Sequence, residues 1–96
     1  GYPDTREEFF RAFETVANLG TKPETNIKIK TPIINLSKKD IVLKAVELGV
    51  PLEMTYSCYK NDEIACGECD SCAYRLRGFR LAGINDPINY LIRPNY

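Results

Sequence analysis

Cys58-Tyr59-Lys60-Asn61-Asp62-Glu63-Ile64-Ala65-Cys66-Gly67-Glu68-Cys69-Asp70-Ser71-Cys72 places all four cysteines of the chain within fifteen residues, separated by gaps of seven, two and two. A Cys-x-x-Cys turn folds its amides inward and brings two sulfurs to one point, and zinc takes four such ligands in a tetrahedron at about 2.3 Å. Gly67 relieves the turn between Cys66 and Cys69. Cys72 falls where a last helix begins, so the positive end of that helix favours its thiolate. Four thiolates and one zinc carry a charge of about minus two, to be offset by amides and nearby cations. Lys60, Arg75 and Arg80 are the candidates for that role. Four sulfurs leave no open coordination position, so a zinc held by Cys58, Cys66, Cys69 and Cys72 is structural and pins the 58–66 loop to the last helix.

The same cysteines admit two other readings. An even count suits disulfides, but the start Gly1-Tyr2-Pro3-Asp4 lacks the plan of a signal peptide, and in a reducing compartment this pattern more often binds metal. Cys66, Cys69 and Cys72 also repeat as in some ferredoxins, without the fourth-cysteine-and-proline ending of that pattern.

Outward from the cluster, the last helix is predicted from Asp70 or Ser71 to about Leu81, with Gly83 as its stop and Gly78 as a weak point. Upstream, Ser37 with Asp40 starts a helix whose apolar positions are Ile41, Val42, Ala45, Val46 and Leu48, ended by Gly49 and Pro51. Asn26-Ile27-Lys28-Ile29-Lys30-Thr31 alternates like a short strand ending before Pro32. A lone strand lacks a ladder partner, which points to sequence upstream or to another chain. Residues 5 to 19 read as an amphipathic helix, with Phe9, Phe13, Val16 and Ala17 on the core face, Asp4 as cap with Glu7 in a capping-box-like pair, and Gly20 as a left-handed terminator. The tail from Asn85 to Tyr96 has no clear period and is expected to lie across a surface.

Ninety-six residues with 44% apolar content allow one small core, so residues 1–96 are taken as a single domain. Lys plus Arg and Asp plus Glu both count 13, which leaves no net field to draw the chain onto nucleic acid or an anionic membrane. No apolar run reaches the roughly 18 residues of a membrane span, so a cytoplasmic protein is expected. With no histidine, the commonest general base is missing, and no catalytic residue is assigned.

Further segments carry a resemblance: Gly1-Tyr2-Pro3-Asp4, Ile34-Asn35-Leu36-Ser37-Lys38, Glu47-Leu48-Gly49-Val50-Pro51, Tyr56-Ser57-Cys58-Tyr59, and the cysteine segment continued by Arg75, Gly78-Phe79, Ala82-Gly83 and Asp86-Pro87. Together they resemble the C-terminal portion of the 7-cyano-7-deazaguanine synthase family, QueC or ExsB. The resemblance implies an α/β fold of the adenine nucleotide α-hydrolase-like type, of which this chain is a mostly helical part bearing a four-cysteine zinc site. It also implies an ATP-dependent ligase that turns 7-carboxy-7-deazaguanine and ammonia into the nitrile, with ATP as a substrate, one zinc per subunit and homodimers unsurprising. The Ser-Gly-Gly-x-Asp-Ser phosphate loop of that family has no counterpart here, since no two glycines are adjacent. Asp4, Arg6, Arg75 and Arg77 are the candidates to lie near substrate. The contrasting reading is a freestanding zinc module that binds a protein partner.

Overall fold

A computed structural model describes residues 2–96, and these fall into two compact units, one up to Asn35 and one from Leu36 to Tyr96. Three helices carry the regular structure: α1 Glu7–Leu19, α2 Lys38–Glu47 and α3 Asp70–Ala82. Short 3-10 turns at Pro3–Thr5 and Leu52–Met54 complete it. Among the described residues there is no strand, and the one β-bridge pairs Ala65 with Tyr90 in parallel.

The first unit is α1 with the segment that follows it. The helix begins later than expected and without a side-chain cap: Arg6 holds the N-cap position, and Asp4 lies in the preceding 3-10 turn. Pro3 sets that turn, so Asp4 stands too far from the first α-helical amides to bond them. Gly20 is not left-handed either. It continues with φ −85° and donates its amide to the Val16 carbonyl. The face of Phe9, Phe13 and Val16, expected in a core, is exposed at 41%, 54% and 66%. Phe9 meets Phe10 edge-on and Phe13 at a tilt, with centroids 5.6 and 6.1 Å apart.

The expected strand at 26–31 forms no ladder, yet one of its edges is satisfied. The amide of Ile27 donates to Asn18 Oδ1 at 2.7 Å, and its carbonyl accepts from Asn18 Nδ2 at 2.9 Å. Two residues on, the Ile29 amide donates to Glu14 Oε2 at 2.7 Å and its carbonyl accepts from Arg11 at 2.8 Å. Both polar groups of alternate residues engaged on one side is the pattern of one edge of an extended chain. Helix side chains take the place of a neighbouring strand.

The second unit is built on the packing of α2 against α3. Ser37 caps α2 in a full capping box: its hydroxyl accepts from the Asp40 amide at 3.1 Å, and its own amide donates to Asp40 Oδ2 at 3.3 Å. Gly78 lies where α3 meets the start of α2, and a Cβ there would be 2.9 Å from the Lys38 Cβ. The glycine that weakens α3 as an isolated helix therefore permits its closest approach. α3 ends at Gly83, whose φ of 72° is the left-handed terminator expected from the sequence. The buried apolar residues are Val42, Ala65, Cys66, Cys72, Leu76, Phe79 and Ile88. Cys66 and Cys72 pack with Ala65 and Ile88 in one buried cluster, against which Cys58 and Cys69 lie, so this part of the core and the candidate metal site are one structure.

Candidate metal centre

Each sulfur is positioned by a local turn. Cys58 Sγ accepts the backbone amides of Lys60 and Asn61, two and three residues on, both at 3.4 Å. Cys66 Sγ accepts from Glu68 and Cys69, again two and three residues on, at 3.4 and 3.2 Å. The two turns are the same knuckle, and only the second ends on another cysteine. Gly67 makes the second turn possible with φ of 84°. Cys69 caps α3, its sulfur accepting the Cys72 amide at 3.5 Å, so Cys72 sits in the first turn of that helix as expected. A further bond from the Cys66 amide to Cys58 Sγ joins the two knuckles. The Ser71 hydroxyl, donating to the Ser57 carbonyl at 2.6 Å, ties the helix start to the first.

The four Sγ atoms lie within 4.8 Å of one another, and Cys66 and Cys72 are 4.0 Å apart. A tetrahedron with bonds of about 2.3 Å has edges of about 3.8 Å, so the donor set fits a zinc ion. No pair is joined as a disulfide. Electrostatics agree with the fit. Amide donation, chiefly from Cys66, draws the Cys58 thiol down to about 6, and amides led by that of Tyr59 lower Cys69. Burial pushes the Cys72 thiol up to about 12. Six amides aimed at sulfur prepare thiolates, whereas a buried Cys72 thiolate needs a cation beside it. Lys60 approaches the cluster but is paired with Glu68 at 3.1 Å, which with the nearby sulfurs raises its pKa.

Behind the sulfurs stands a buried polar group that periodicity did not reveal. Arg75 donates from Nε to Asp86 Oδ2 at 2.7 Å and from Nη2 to Oδ1 at 2.9 Å, and also from Nη1 to Thr55 Oγ1 at 2.8 Å. Asp86 further accepts the Tyr90 hydroxyl at 2.6 Å and the Ile88 amide at 3.2 Å. Arg75 thereby joins Thr55 and α3 to the tail, whose Asp86 is 2% exposed. Arg75 and the Asp86-Pro87 pair both stand among the segments that carry the resemblance, but nothing in their spacing pairs them.

Residues 1–83 match the family described as Queuosine biosynthesis protein QueC. The chain belongs to that family. It is 58% identical over all 96 residues to 7-cyano-7-deazaguanine synthase of Chloroherpeton thalassium, and 60% identical over 90 residues to the synthase of Nitratiruptor sp.. The chain spans about two fifths of the length of these relatives (42% and 41%) and corresponds to their C-terminal part.

The remaining candidates are placed as follows. Asp4 and Arg6 are exposed in the first unit, where Arg6 makes a 3.7 Å ion pair with Glu8. Arg77 is exposed on α3. Arg75, its fork committed to Asp86, lines a cleft of about 300 Å³ with Lys38, Thr55, Ser57 and Tyr59. No helix of the described residues is long and apolar enough to cross a membrane.

Proposed function

We propose that this chain is the zinc-bearing C-terminal region of an ATP-dependent ligase that converts 7-carboxy-7-deazaguanine and ammonia to 7-cyano-7-deazaguanine. The observation that carries the reading is the convergence of Cys58, Cys66, Cys69 and Cys72 in a chain whose relatives are named for that synthase. Zinc here supplies cross-linking rather than chemistry, because four sulfurs fill its coordination. Its role is to hold the first knuckle, the second knuckle and the start of α3 together.

Two features of the first unit support a place within a longer protein. The apolar face of α1 is exposed, and the backbone groups of Asn26, Lys28 and Lys30 make no hydrogen bond among the described residues. An amphipathic helix beside a half-satisfied extended segment is what a sheet with helices on its faces would leave when its other strands are missing. Phosphate binding then belongs to sequence outside these 96 residues, and of the four candidate residues Asp4, Arg6 and Arg77 are exposed to a substrate whereas Arg75 is committed to Asp86.

The test joins this chain to the upstream sequence of its own protein and supplies 7-carboxy-7-deazaguanine, ammonia and ATP. Formation of the nitrile, read by mass spectrometry and dependent on ATP, is the expected result, with no ATP binding by the 96 residues alone. A longer protein that makes no nitrile, or an isolated chain that cleaves ATP, overturns the assignment.

A further inference from the structure

The last residues of the chain lie on the metal site, and the sequence carried no sign of it. Tyr90 pairs with Ala65, and the Leu91 amide donates to the Ala65 carbonyl at 2.8 Å. One residue further, the Ile92 carbonyl lies so close over Gly67 that a Cβ at that glycine would stand 1.8 Å from the oxygen. Finally the Tyr96 hydroxyl donates to the Gly67 carbonyl at 2.8 Å. Arg93 fastens this segment at its root, donating to the carbonyls of Asp86 and Ile88 at 2.8 and 2.7 Å and stacking over the Tyr90 ring. Beneath it, Ala65 and Cys66 are 1% and 5% exposed.

We propose that residues 90–96 are a metal-retaining strap, in which the Ile92 carbonyl and Tyr96 are positioning groups that hold the Cys66–Cys69 knuckle closed. The inference rests on the zinc reading above but adds a role for residues 90–96, which are not among the cysteine ligands. The Glu68 amide points inward to Cys66 Sγ, so the Gly67 carbonyl of the same trans peptide points outward, and Tyr96 of the strap engages that outward carbonyl. Zinc leaves a four-sulfur site by successive loss of ligands to a competing acceptor, which requires the knuckle to swing away from the other sulfurs. A knuckle clamped at Gly67 swings less often, so the strap slows departure of the ion. Gly67 is thereby constrained twice, by its positive φ and by the backbone lying on it.

The experiment follows zinc release from the loaded protein to an excess of a colorimetric chelator. A neutral hydrogen bond is worth about five-fold in rate. Tyr96→Phe removes one, and deletion of 91–96 removes the two that reach Ala65 and Gly67 together with the three that Arg93 makes to Asn85, Asp86 and Ile88, so release should quicken about five-fold and by at least about twenty-five-fold. Gly67→Ala adds the test specific to the strap: it should speed release much more in the intact chain than in the deleted one, where no Ile92 carbonyl remains to clash. Tyr96→Phe keeps the test decisive if the deleted chain does not fold. Rates within two-fold of one another for the intact chain and Tyr96→Phe, or an equal effect of Gly67→Ala in both backgrounds, overturn the strap. A protein that holds no zinc at the outset overturns the metal reading beneath it.

Discussion

Arg75 and Asp86 form a two-pronged ion pair with side-chain exposures of 12% and 1%, linking the middle of α3 to the tail eleven residues further on. Removing either partner strands a charge in a buried place. Asp86→Ala or Arg75→Ala should cost about 3–5 kcal/mol, measured by denaturant unfolding of the zinc-loaded protein. Arg75→Lys should recover only part of the loss, because an ammonium cannot present the planar fork that spans both carboxylate oxygens.

The same group sets a pH dependence with two limbs. Burial would raise the Asp86 carboxyl, but hydrogen bonds from Arg75 and Tyr90 outweigh it and hold the group below its ordinary value. Its contribution is thus present above the unfolded pKa of about 3.9 and is lost as pH falls through the folded value. Burial and the bond to Asp86 push Tyr90 upward, so its contribution is complete below about 10 and is lost as pH rises toward the folded value. Unfolding midpoints across the pH range should show the advantage over Asp86→Asn shrinking in acid, and Tyr90→Phe lacking the alkaline fall.

Metal removal should unmake the second unit. With Cys66 and Cys72 supplying two of its buried residues, a strong chelator should abolish the start of α3 and reduce the helical signal in circular dichroism. Elemental analysis should return one zinc per chain beforehand. Cys72→Ser should reproduce the effect without chelator.

Gly78→Ala separates helix propensity from packing. Alanine favours a helix over glycine by about 1 kcal/mol, yet its Cβ would meet Lys38 Cβ at 2.9 Å and the Lys38 carbonyl carbon at 3.2 Å. Overpacking of this kind costs about 1–3 kcal/mol, so a lowered thermal midpoint is expected.

Asn18→Ala tests the substitute edge in the first unit. Loss of both bonds to Ile27 should weaken that edge by about 1–3 kcal/mol, read as faster amide exchange at Ile27 and then Ile29, with α1 unchanged.

What the sequence discloses about this molecule depends on the distance over which each feature is decided. Ser37 and Asp40 are three residues apart and complete each other, and Gly83 ends its own helix. Both were legible, as was the four-cysteine cluster, whose spacing is the geometry. Asp4 failed as a cap because Pro3 begins a 3-10 turn first, a local competition that the Asp4–Glu7 spacing did not reveal. The strand reading of 26–31 failed because its bonding partners are side chains nine to eighteen residues away. The Cys58 knuckle escaped notice since Asn61 stands where a second cysteine would have marked it. The place of Tyr96 against Gly67, twenty-nine residues earlier, has no periodic signal at all.

The pairing of α1 with residues 27–31 has a metric basis. Asn18 serves Ile27, Glu14 and Arg11 serve Ile29, and Glu7 reaches Thr31 at 3.4 Å. From Asn18 to Glu14 four residues of helix advance about 6 Å, and from Ile27 to Ile29 two residues of extended chain advance about 6.7 Å, so the two rulers stay nearly in step across the two paired amides. Length is therefore free to vary in the turn at 20–26, which neither ruler measures, while a single residue added between Ile27 and Ile29 would turn the second of these amides to the wrong side.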